Sequence, residues 1–69
     1  MKHHQFHKLV ADKNVDVKRD PPHLVLFVDS ERELLNTRSC LSKFAKPRGW
    51  GFMTSYDADF HMLSIWRYK

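Results

Sequence analysis

Residues 21–33, PPHLVLFVDSERE, place a helix-breaking proline pair, a continuous apolar run and a helix start signal end to end. Neither proline donates a backbone hydrogen bond, and each pushes the residue before it toward extended geometry. The run LVLFV at 24–28 is β-prone on both faces, which reads as a central strand covered on both sides. Directly after it, Ser30 and Glu33 stand at the spacing of a capping box. The Ser30 hydroxyl can accept from the Glu33 amide while the Glu33 carboxylate reaches back. A strand must therefore turn straight into a helix, and the second half of the chain is built around that pair.

The helix is expected to run to Ala45 or Lys46, where Pro47 and Gly49 stop it. Leu34, Leu41, Phe44 and Ala45 share one face; Arg32, Asn36, Ser39, Lys43 and Lys46 form a polar, mostly basic stripe opposite. Beyond it, WGFMTSY and FHMLSIWRYK alternate in the manner of strands about a short loop, Asp57–Ala58–Asp59. Pairing Tyr56 with Phe60 places Trp50, Phe52, Tyr56, Phe60, Met62, Trp66 and Tyr68 on one sheet face. Gly51, Met53, Ser55, His61, Leu63, Ile65 and Arg67 then share the other, whose small residues would let a helix approach; the aromatic face is then either core, covered by the N-terminal arm, or a partly exposed binding surface. The fold expected is α+β: a single small β-α-β-β domain over residues 21–69, one helix on a three- or four-stranded, mainly antiparallel sheet. Residues 1–20 are a polar, histidine-rich arm for which three readings stand: a short helical turn at Phe6, Leu9 and Val10, a short strand at Val15 and Val17, or disorder of the first few residues.

A chain of 69 residues builds only a thin core, and its single cysteine, Cys40, excludes an internal disulfide. A lone thiol, no apolar signal segment in MKHHQFHKLV and no run long enough to span a bilayer together read as a soluble cytoplasmic protein. Net charge is +4, with five further histidines. That balance favours an acidic partner, nucleic acid foremost.

The histidines at 3, 4, 7, 23 and 61, with Cys40, lack the closely spaced four-ligand pattern of structural zinc, so no metal or cofactor is expected. Asp57 and Asp59 read as turn formers, Ser30 as a helix cap, and no phosphate-binding loop or dinucleotide fingerprint is present. Enzymatic activity and a small-molecule substrate are accordingly not expected.

RGWGFMTS, residues 48–55, resembles the RNP1 octamer of RNA-recognition motifs, in which strand aromatics stack bases. Arg48, Gly49, Gly51 and Phe52 match it, whereas Trp50, Met53 and Ser55 depart. Between Val28 and Arg48 there is room for a helix but not for the helix and further strand which that family would place there. A broader resemblance joins Ser-x-Arg at the helix start, the basic helix end, Gly-aromatic-x-Phe-x-Thr and the terminal IWRYK. Together these look like short bacteriophage and prophage proteins, which implies a stoichiometric binder acting in the host cytoplasm.

The leading expectation is non-catalytic nucleic-acid binding. Lys43, Lys46, Arg48, Arg67 and Lys69 would contact phosphates, and Trp50, Phe52 and Trp66 would stack bases. The alternative is a phage-type inhibitor that blocks a host protein, with the same Trp and Arg side chains as interface anchors.

Overall fold

The structure is a computed structural model that describes residues 3–69, with side chains described from residue 6. Its elements are a 3₁₀ turn His3–Lys8, strand β1 Leu24–Phe27, helix α1 Glu31–Ala45, a 3₁₀ turn Lys46–Arg48, and strands β2 Phe52–Asp57 and β3 Met62–Arg67. One helix thus packs on a three-stranded antiparallel sheet, as the alternation of patterns implies. The strand order is β1-β3-β2, so the last strand is the central one.

Helix α1 forms where its signals lie. Ser30 sits in extended geometry and its Oγ accepts from the Glu33 amide at 3.1 Å. Leu34, Thr37, Leu41 and Ala45 are buried at spacings of three and four, the period of one helix face. The helix tightens into the 3₁₀ turn at Lys46–Arg48, and Gly49 then adopts a left-handed conformation at φ 69°. The Trp50 amide returns to the Ala45 carbonyl at 3.1 Å, which closes the helix end and delivers the chain to β2.

Three expectations are corrected. The 24–28 run is not a central strand: β1 lies at the sheet edge, its residues alternating between half-buried and exposed, with Phe27 68% exposed. A single helix can cover one sheet face only, and among the described residues no second layer covers Val25 and Phe27.

The hairpin register is shifted by three residues from the expected pairing. Tyr56 pairs with Leu63 and Phe52 with Arg67, leaving residues 58–61 as a four-residue loop. Asp57 Oδ1 accepts from the Asp59 and Phe60 amides, and His61 turns the chain at φ 54°. An odd shift moves one strand's side chains to the other face. Phe52 and Tyr56 therefore join Leu63 and Ile65 under α1, with Leu24 and Leu26 from β1. This register puts Leu24, Leu26, Phe52, Tyr56, Leu63 and Ile65, drawn from all three strands, on the one face the helix can shield, which is its physical advantage.

The expected aromatic face is accordingly divided. Trp50, Phe52 and Tyr56 pack against the core, while Met62 and Trp66 point to the opposite face beside Met53 and Val25. The N-terminal arm also belongs to the core: Phe6 and Leu9 are 1% and 2% exposed. Val15 and Val17 lie among turns rather than in a strand. Among the described residues no helix is long and apolar enough to cross a membrane.

Candidate functional site

The local sequence around the end of α1 determines what lies there. A line of rings runs edge-to-face from Phe6 to Phe44 (5.5 Å between centroids) and to Trp50 (5.4 Å), then on to a tilted Phe52 at 6.1 Å. Two guanidinium groups cap this line. Arg48 lies 3.7 Å over the Phe44 ring and donates to the Phe44 carbonyl at 2.8 Å. Arg67 lies 3.5 Å over the Trp50 ring and donates to the carbonyls of Leu9 and Lys69. Such contacts combine the ring quadrupole with charge-assisted hydrogen bonds, so they fix these side chains as well as attracting them.

Beside the rings, α1 and the edge strand β2 diverge to leave an open groove of about 440 Å³. Leu41, Ala45, Trp50 and Phe52 give it an apolar lining; Arg38, Ser42, Lys46 and Thr54 supply polar groups. Residues 38, 42 and 46 follow one i+4 ridge of the helix, which places a cation toward each end.

Charge is segregated around this groove. Residues 34–56 contain Arg38, Lys43, Lys46 and Arg48 and no carboxylate. All eight acidic residues lie at 12–33 and 57–59. The negative end of the helix dipole suits cations at this place, and the acids at the start of α1 suit the opposite end. Among the described residues, no hydrogen bond or ion pair holds the side chains of Arg38, Lys43 and Lys46.

Of the residues singled out in the sequence, Lys43, Lys46 and Arg48 gather at the exposed end of α1, and Trp50 and Phe52 are half-buried at the groove. Lys69 is exposed at the chain end. Trp66 stands apart: it is 5% exposed and its indole Nε1 donates to the Asp20 carbonyl at 3.0 Å. Arg67 is half-buried and committed to Trp50 and two carbonyls. Sequence reasoning missed Arg38, although its i+4 and i+8 relation to Ser42 and Lys46 was there to be read. The octamer-like segment runs along an edge strand, with Phe52 toward the helix and Met53 toward the open face.

The open face carries a second feature. Val25, Phe27, Met53 and Met62 are 39–68% exposed on it, and Phe60 in the hairpin loop is also exposed. No groups of three or more His, Cys, Asp or Glu side chains placed to hold a metal ion occur among the described residues. The side chains of His3 and His4 lie outside those described. No family model matches the chain, and no curated protein or solved structure matches it either.

Proposed function

We propose that the protein is a small non-catalytic binding domain whose target is nucleic acid, engaged through the cations at the end of α1. The observation that carries this reading is the segregation of charge: Arg38 and Lys46 line an open groove, Lys43 and Arg48 lie close by in sequence at the same end of α1, and the whole stretch is free of carboxylates. Lysines without internal partners are free to displace counterions from phosphates, the main source of sequence-independent affinity. Arg67, half-buried, and Trp66, buried, are both engaged within the domain and are left out of this interface, whereas Arg48, although held at Phe44, is exposed.

The test is fluorescence anisotropy of a labelled oligonucleotide over a salt series. About four phosphate contacts give a log–log slope near −3 to −4. A slope near zero, or no binding at low salt, would sink the reading.

A second reading rests on the exposed Val25, Phe27, Met53 and Met62. Exposed apolar side chains on one sheet face suit a protein partner, as in a phage-type inhibitor that blocks a host protein. Its affinity would depend only weakly on salt and would fall on Phe27→Ser, a change that leaves the basic groove intact. Both readings place the protein in the cytoplasm, that of the host if a phage encodes it.

A further inference from the structure

We infer that the groove between α1 and β2 takes an unpaired base, so that the preferred ligand is single-stranded nucleic acid rather than duplex. This rests on the nucleic-acid reading above and adds what the groove itself contributes. The cations alone do not discriminate, since duplex and single strand both present phosphates. The groove does.

Its lining is apolar where Leu41, Ala45, Trp50 and Phe52 meet, and its volume, about 440 Å³, is that of a small-ligand pocket. A duplex keeps its bases stacked and paired, and would leave that lining against water. A single strand can turn one base inward. The base plane is then buried beside the rings of Trp50 and Phe52, while its sugar and phosphates stay at the mouth.

The mouth is suited to those phosphates. Arg38 and Lys46 are eight residues apart on one helix, about 12 Å along its axis, and both line the groove. That span exceeds the separation of adjacent phosphates, so the two cations meet phosphates on either side of the inserted base that are not immediate neighbours.

The groove also offers polar partners for a base edge. Thr54 and Ser42 supply hydroxyls. β2 is an edge strand, and among the described residues no strand pairs with its outer side. Alternate backbone N–H and C=O groups of such a strand are therefore open, and these are the groups that hydrogen-bond the exposed edge of an unpaired base.

The experiment compares three fluorescein-labelled probes at one low salt concentration: oligodeoxythymidine of about twelve nucleotides, its duplex with oligodeoxyadenosine, and an abasic strand of equal length. The expected result is that the oligodeoxythymidine binds about tenfold or more tightly than either of the others. Ser42→Phe, which fills the groove from an exposed helix position, should remove that preference. A second readout needs no variant: tryptophan emission of the unmodified protein should be quenched by oligodeoxythymidine and not by the abasic strand.

Equal affinity for all three probes, or a preference that survives Ser42→Phe with emission unquenched, would overturn the inference. If that equal binding were still steeply salt-dependent, the nucleic-acid reading would stand without the base site. No binding of any probe would remove both.

Discussion

The guanidinium of Arg67 stacks 3.5 Å above the indole of Trp50 while its Nη1 reaches the Leu9 carbonyl at 2.8 Å. One side chain thus ties the central strand to the N-terminal arm and to the segment that leads into β2. Arg67 is a structural clamp, and Arg67→Ala should destabilise the domain by about 2–3 kcal/mol in urea unfolding, from the lost stacking and charge-assisted hydrogen bonds. Arg67→Lys should recover little, because an ammonium cannot reproduce the planar fork. If Arg67→Ala leaves stability unchanged, the clamp assignment is wrong.

Gly51 and Tyr68 form a second close pair. A Cβ built on Gly51 falls 2.6 Å from two ring carbons of Tyr68. Backbone hydrogen bonds between Gly51 and the last two residues hold the chains together there, so the ring must move instead. Gly51→Ala should cost about 1 kcal/mol in the unmodified background. In a Tyr68→Ala background the same change should be neutral or stabilising by about 0.5 kcal/mol, as the methyl then only restricts the unfolded chain. A double-mutant cycle measures the coupling, and strictly additive effects would contradict it.

The start of α1 carries an acidic strain. A side-chain hydrogen bond with Asp29, followed by burial and the charge of that neighbour, holds the Glu33 carboxyl above its ordinary value of 4.5. For an acid whose folded pKa is raised, the folded state binds more protons than the unfolded state. Stability then falls as pH rises through the interval above 4.5, and the loss persists at neutral pH. Asp29→Asn should raise the melting temperature at pH 7, with the gain vanishing below about pH 4 and shrinking in high salt. A gain independent of pH would rule out this cause.

The sequence carried some elements more clearly than others. The helix was legible to within a residue, because Ser30, Pro47 and Gly49 are local signals whose chemistry acts on the nearest backbone. The order of strands and helix followed from periodicity. Register and strand order were not legible in the same way. Residues 52–57 and 62–67 each alternate, but alternation alone does not say which parity of one strand meets which parity of the next. That choice fell to burial of Phe52 and Tyr56 together with Leu63 and Ile65 beneath a single helix. The continuous run at 24–28 was ambiguous for the same reason: its apolar residues are needed on one side only, and nothing local marks Val25 and Phe27 as exposed. The cations of the candidate site were legible where they cluster in sequence, at 43–48. Arg38 emerges only once the groove shows which helix ridge faces β2.

The basic end of α1 separates binding from stability. Lys43 and Lys46 are exposed and, among the described residues, hold no partner, so replacing both with alanine removes no packing. Lys43→Ala with Lys46→Ala should leave the urea midpoint within about 0.5 kcal/mol of the original, since alanine is also a strong helix former. Loss of two phosphate contacts should reduce the magnitude of the salt slope by about 1.5–2 and weaken oligonucleotide binding most strongly at low salt. The rings lining the groove are untouched, so any preference for single strands should persist at lower overall affinity. Unchanged binding with an unchanged slope would show that these lysines are merely solvated and that the anionic partner, if there is one, docks elsewhere.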